Sequence, residues 1–68
     1  MEFGEMLAKV RKASGMSQKE LAERLGVYQK DISRWENGSR VPSLQTFKEI
    51  CKALYVSADV MLELTDEK

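Results

Sequence analysis

The sequence has 68 residues, of which 43% are hydrophobic and 32% charged, a composition typical of one small globular domain. A domain of this size buries only about 60% of the surface that its unfolded chain exposes, so it depends on disulfides, a metal or closely packed helices. One cysteine and no histidine argue against the first two. No apolar run approaches the roughly 20 residues of a membrane span, and no signal peptide is recognisable, so we expect a cytoplasmic protein without a membrane partner.

The charges balance overall but are unevenly distributed. From Lys9 to Arg40 there are eight basic and four acidic residues, whereas the rest of the chain has three basic and seven acidic residues. This asymmetry indicates that one side of the molecule approaches an anion, although surface charges scattered by chance give the same pattern. The net charge of zero, taken alone, argues against a nucleic-acid partner.

Two helices are predicted in the first part of the chain, over residues 2–14 and 17–25. The first has an apolar stripe at helical spacing and ends at Gly15; the stripe consists of Phe3, Met6, Leu7 and Val10. The second begins with a capping box of Ser17 and Glu20 and ends at Gly26. Its inward residues are Leu21, Ala22 and Leu25, and Met16 is placed to pack onto Leu21.

A third helix is predicted over residues 29–37, with Ile32 and Trp35 facing the core and Gly38 ending it. Tyr28 stands at the capping position, where serine or threonine is expected. Asp31, in the first turn, partly compensates by interacting with the positive end of the helix.

Two further helices are predicted over residues 43–54 and 57–64, capped by Ser43 and Ser57, with a polar tail at 65–68. The fourth has a broad apolar stripe made of Leu44, Phe47, Ile50, Cys51 and Leu54. The fifth has an inward stripe of Ala58, Met61 and Leu62, and Val56 is expected to pack on Met61. No β-alternation or internal repeat occurs, so the fold class is all-α.

The second and third helices carry a recognisable pattern. Gln18, Ala22, Gly26 and Ile32, followed by the tetrapeptide Trp35-Glu36-Asn37-Gly38, resemble the helix-turn-helix of the phage-repressor and Cro family, often called Xre-like. The resemblance covers Phe3 to Leu64. It implies a single domain over residues 1–68, with a compact five-helix, lambda-repressor-like DNA-binding fold and the helix-turn-helix formed by helices 2 and 3.

The resemblance also implies a mechanism in which helix 3 enters the major groove and helix 2 rests across the DNA backbone. The residues opposite the core face of helix 3 are then the base readers, namely Gln29, Lys30, Ser33 and Arg34. The candidates for phosphate contacts are Gln18, Lys19, Asn37, Arg40 and Ser43. The family pattern further implies an ion pair between Arg11 and Glu36, and a side-chain contact from Gln18 to Gln29.

Several of these residues have simpler interpretations. Gln29 and Lys30 could be solvated surface residues, and Arg34 could pair with Asp31 one turn earlier. Asp31 could accept from a cytosine amine, but its helix-start role is favoured because a carboxylate near phosphate is repulsive. Arg11 could also face phosphate. Cys51, among apolar neighbours, is interpreted as a core residue rather than a sensor or ligand.

The expected partner is a palindromic DNA operator bound by a homodimer. Val60 and Leu64 form a second apolar stripe on helix 5, which we assign to the dimer interface, although two exposed apolar residues need no partner.

No catalytic constellation, cofactor motif, metal site or small-molecule site is evident, so we expect no enzyme. Two functions remain: a sequence-specific transcriptional regulator that acts as a repressor, or a protein-interaction module such as an antitoxin or co-regulator, which the zero net charge favours.

Overall fold

A computed structural model of the protein describes residues 3–62, and its architecture is all-α. The elements in chain order are α1 (Phe3–Ala13), α2 (Gln18–Leu25), α3 (Gln29–Asn37), α4 (Leu44–Leu54) and α5 (Ala58–Met61). No strand occurs between residues 3 and 62. The five-helix prediction is confirmed, and the capping serines stand just before α2, α4 and α5.

The helices enclose one core. α3 packs against α1 and α2, α2 against α4, and α5 against α1 and α4. The largest completely buried side chains among residues 3–62 are those of Leu7, Leu21, Ile32, Ile50 and Met61. Trp35 is also buried, so the core face predicted for α3 is confirmed. This packing fixes the position of α3 and leaves its opposite face to solvent.

The four longer helices end in the same way. In each, a residue with positive φ follows the last turn, and the next N–H donates back to the carbonyl five residues earlier, as in a Schellman motif. The bonds are Met16 N to Arg11 O, Val27 N to Ala22 O, Ser39 N to Arg34 O, and Val56 N to Cys51 O, at 3.0–3.2 Å. Glycine fills the left-handed position after α1, α2 and α3, as predicted, but Tyr55 fills it after α4 with φ of 54°.

Gly4 allows α1 to approach the end of α3 closely, which the sequence pattern did not reveal. A Cβ at this position would lie 2.5 Å from the carbonyl oxygens of both Trp35 and Glu36. Real Cβ atoms do not come so near to backbone oxygens, and backbone cannot move aside as a side chain can. Glycine is therefore required here by the packing of α1 on α3 rather than by its own φ.

The predicted apolar stripes of the last two helices were partly wrong. Leu44 is 83% exposed, at the edge of a shallow groove that it lines with Phe3, Val41, Pro42, Phe47 and Leu62. Ala58 is exposed and Leu62 is 46% exposed, so Met61 is the one residue of the inward stripe that enters the core. α5 has only four residues, which is one turn, and one turn presents a single side chain to the core.

Candidate nucleic-acid interface

α2 begins with a capping box, and a short turn joins it to α3. Ser17 Oγ accepts from Glu20 N at 3.0 Å, and Glu20 Oε1 accepts from Ser17 N at 2.8 Å, so the predicted capping box is present. Gly26 ends α2 with φ of 74°, and Tyr28, in an extended conformation, precedes the first residue of α3. Because both helices are fixed by their caps and their core residues, α3 is presented in one orientation.

The four predicted base readers share the open face of α3. Gln29, Lys30, Ser33 and Arg34 are all exposed, on the side opposite Ile32 and Trp35. Their side chains make no hydrogen bond or ion pair with the described part of the chain, and in particular Arg34 does not pair with Asp31. The polar groups of these four side chains are therefore open to solvent, and their assignment to bases stays a prediction.

The beginning of α3 is stabilised by a hydrogen bond from a backbone N–H to a side-chain carboxylate. Tyr28 makes no side-chain cap, but Asp31 Oδ2 accepts from Tyr28 N at 3.1 Å. This confirms the helix-start role of Asp31, since its carboxylate is bound at the helix N-terminus. The Tyr28 ring is itself 72% exposed, and Lys30 Nζ lies 5.8 Å from the ring centroid.

Glu36 is the centre of a buried polar network that joins three helices. Its Oε2 accepts from Arg11 Nε at 2.6 Å, and its Oε1 accepts from the second terminal nitrogen of Arg11 at 3.1 Å. The predicted ion pair is thus confirmed, and both side chains are about nine-tenths buried. Gln18 Nε2 donates to the same Oε1 at 3.0 Å, and the described residues show no hydrogen bond between Gln18 and Gln29. The carboxylate attracts the Gln18 amide because it is the stronger acceptor.

Arg11 is therefore not a phosphate contact. It is 7% exposed, and its remaining terminal nitrogen donates to Met16 O at 2.8 Å. The hydrogen bond to Glu36 raises the pKa of Arg11 above its ordinary value, which desolvation opposes. The other seven basic residues between Lys9 and Arg40 are exposed, so the positive charge of this stretch lies at the surface.

The phosphate candidates differ in which of their hydrogen-bond donors have no partner within the described residues. Lys19 and Arg40 are exposed, and their side chains have no partner among residues 3–62. The Gln18 amide is bound to Glu36, but the backbone N–H groups of Gln18 and Lys19 start α2 and have no acceptor in the described structure. Such first-turn amides bind anions readily.

Asn37 and Ser43 already take part in local bonds. Asn37 Oδ1 accepts from Ser39 N at 2.9 Å, which leaves its amide nitrogen as the donor for a phosphate. Ser43 Oγ accepts from Thr46 N at 3.1 Å and bonds to Thr46 Oγ1 at 2.9 Å. A phosphate contact from the Ser43 hydroxyl would have to replace its bond to Thr46 Oγ1.

The predicted dimer residues are only partly described. Val60 is 44% exposed on α5, with Leu62 exposed to a similar degree nearby. Leu64 lies outside the described residues. The apolar surface around Val60 is thus available, but its partner stays a prediction.

The remaining polar chemistry of residues 3–62 is limited. Cys51 is half-buried against the core, and burial raises the pKa of its thiol. Within the same range, no group of three or more potential metal ligands lies together. None of the described helices is long and apolar enough to cross a membrane.

Comparison with known proteins agrees with this geometry. A family model described as helix-turn-helix matches residues 7–61. The chain is 39% identical over 62 residues to the HTH-type transcriptional activator BcrR of Enterococcus faecalis, covering 91% of this chain and 30% of that protein. It is 36% identical over 63 residues to the SPbeta prophage-derived uncharacterized HTH-type transcriptional regulator YonR of Bacillus subtilis, covering 93% of this chain and 58% of that protein.

A third relative is covered more fully. The chain is 36% identical over 64 residues to the uncharacterized HTH-type transcriptional regulator y4dJ of Sinorhizobium fredii, covering 94% of this chain and 83% of that protein. By contrast, it spans less than two thirds of BcrR and YonR. The family match extends over all four longer helices except the start of α1, and it includes α2, the turn and α3. This chain belongs to the helix-turn-helix family.

Proposed function

We propose that this protein is a cytoplasmic transcriptional regulator that binds double-stranded DNA at a specific sequence. The observation that carries the proposal is the open face of α3, where Gln29, Lys30, Ser33 and Arg34 are exposed and their side chains make no hydrogen bond or ion pair within residues 3–62. Family membership and relatives named as transcriptional regulators support it.

In the proposed complex, α3 lies in the major groove. Gln29 pairs in bidentate fashion with adenine, and Arg34 or Lys30 with guanine, each pair giving about 1–3 kcal/mol of discrimination. Lys19, Arg40, Asn37, Ser43 and the first-turn amides of α2 hold the backbone on either side.

The test is a selection of bound oligonucleotides from a random duplex pool, made with the wild type, Gln29→Ala and Arg34→Ala. We expect one enriched sequence for the wild type and relaxed preference at a different position for each variant. Lys48→Ala, an exposed change on α4, is the matched control and should enrich the wild-type sequence. Enrichment that neither α3 variant alters would refute the reader assignment.

The proposed direction of regulation is repression, because a bound domain blocks access to a promoter without needing any contact with polymerase. A relative is named as an activator, so the direction requires its own measurement. A reporter gene with the selected sequence across its promoter should lose expression when the protein is produced. Increased expression would reverse the assignment.

We also propose that two copies bind a palindromic site, with Val60 and Leu64 in the interface. The exposure of Val60 supports this, and the two α3 helices would then lie about 34 Å apart, one turn of DNA. Sedimentation with the selected duplex should give two protein chains for each DNA, and Val60→Glu should weaken that assembly. Monomers alone at high micromolar concentration would contradict the dimer.

The alternative is a protein-interaction module on the same fold, which the net charge of zero favours. It predicts that neither the wild type nor any variant enriches a DNA sequence from the random pool. The selection therefore decides between the two functions.

A further inference from the structure

Tyr28 occupies an exposed position directly beside the readers of α3. It precedes Gln29 at the N-terminal end of the helix, with φ of −85° and ψ of 150°. This is the end that meets base edges in helix-turn-helix proteins. A residue placed here therefore stands next to the first base reader.

The folding of α3 does not account for a tyrosine at this position. Its side chain makes no cap bond, whereas serine, threonine, asparagine and aspartate at a helix start each satisfy a first-turn N–H. The ring is 72% exposed, so it contributes little to the core. A residue that breaks a local preference without a gain in packing is expected mainly where function requires it.

A cation also lies beside the ring. Lys30 Nζ lies 5.8 Å from the ring centroid, a cation–π distance. Asp31 binds Tyr28 N and so fixes the backbone that carries the ring. An exposed aromatic ring beside a cation therefore stands at the N-terminal end of α3.

From these observations we infer that Tyr28 is a fifth base reader, whose ring contacts the C5-methyl group of a thymine in the major groove. The methyl is the one apolar group that the four bases present there, and apolar side-chain contact is how proteins recognise it. Lys30 lies beside the ring and adds a positive charge next to the DNA. This inference rests on the proposed DNA-binding function and adds a base type to it.

The experiment removes the methyl group alone. In the selected duplex each thymine is replaced singly by deoxyuridine, and Kd is measured by fluorescence anisotropy at fixed salt. Wild type should bind one substituted duplex at least about fivefold more weakly, the lower end of a specific base contact. Tyr28→Ser should bind that duplex and the parent equally.

Serine is used because it is a favoured helix cap, so α3 should fold at least as well as in the wild type. Tyr55→Asn is the matched control: it removes another exposed tyrosine, and asparagine tolerates the left-handed backbone there. This control should keep the wild-type sensitivity to the methyl group.

The outcomes separate the two proposals. Two results would overturn the role of Tyr28 and leave the proposed function standing. In the first, no deoxyuridine substitution in the selected site weakens binding by the wild type. In the second, Tyr28→Ser loses as much affinity as the wild type when the methyl group is removed. A selection that enriches no sequence overturns both.

Discussion

At the scale of single residues, the carboxylate of Glu36 joins the parts of the fold that position α3. It accepts three hydrogen bonds, two from Arg11 on α1 and one from Gln18 on α2. A buried pair of this kind contributes little beyond what apolar residues would give, but removing one partner leaves an uncompensated buried charge. The network is best understood as fixing the orientation of α3 between α1 and α2.

Glu36→Ala should therefore lower the free energy of unfolding by about 3 kcal/mol, since the Arg11 guanidinium loses its counter-charge. Urea denaturation followed by circular dichroism measures the change. The double variant Arg11→Met with Glu36→Leu should recover most of the loss. A cost of only about 0.5 kcal/mol for Glu36→Ala, as in an exposed pair, would contradict the buried network.

The pKa of Arg11 fixes the pH dependence of its own contribution. A folded-state pKa raised above the unfolded value gives stability that is fully present below the unfolded pKa and is lost as the pH rises through the folded one. Both values lie far into the alkaline range. The ionisation of Arg11 therefore does not make the free energy of unfolding depend on pH between acidic and neutral pH.

At the scale of elements, the close approach of α1 to the end of α3 depends on Gly4. In Gly4→Ala the new Cβ would meet the carbonyl oxygens of Trp35 and Glu36, and such overpacking costs roughly 1–3 kcal/mol. Alanine gains about 1 kcal/mol over glycine in an open helix position, so the free energy of unfolding should fall by a net amount of up to about 2 kcal/mol. Thermal denaturation measures it, with the exposed Lys9→Ala as control on the same helix. A more stable Gly4→Ala protein would show that α1 shifts freely.

At the end of α4, a substitution to glycine is expected to stabilise the protein. Tyr55 has the left-handed backbone that glycine has after α1, α2 and α3, and its ring is 90% exposed. Tyr55→Gly should raise the free energy of unfolding by up to about 1 kcal/mol, because relief of the left-handed strain outweighs the added freedom of the unfolded chain. Thermal denaturation again provides the measurement. A loss of stability would mean that the tyrosine ring contributes packing that its exposure does not indicate.

These elements also show what the sequence could predict. Helix ends at Gly15, Gly26 and Gly38 were predictable because glycine adopts positive φ without strain, whereas Tyr55 gives no such local signal. The face of α3 was predictable because Ile32 and Trp35 fix the core side. Three features were not predictable: the role of Gly4, the exposure of Leu44 and the bond from Gln18 to Glu36. Each depends on which helix lies opposite the residue, and the local spacing of residues does not contain that information.

At the scale of the whole molecule, the structure shows which charges of the sequence reach the surface. Of the eight basic residues from Lys9 to Arg40, Arg11 is neutralised inside the protein and seven remain exposed. α4 and α5 add both signs, with Lys48, Glu49, Lys52 and Asp59 exposed. A protein of zero net charge can therefore present a positive surface to DNA, because binding depends on the local field rather than on the total.

The exposure of Lys19 and Arg40 near α2 and α3 predicts that these two residues govern the salt dependence of DNA binding. Each cationic phosphate contact that is removed should reduce the slope of log K against log salt by about 0.9 and weaken binding equally for all sequences. We expect this for Lys19→Ala and for Arg40→Ala. Lys52→Ala, an exposed change on α4, should leave the slope unchanged. Anisotropy titrations between low and physiological salt measure all three, and an equal loss for Lys52→Ala would show that the attraction comes from overall charge rather than from contacts around α2 and α3.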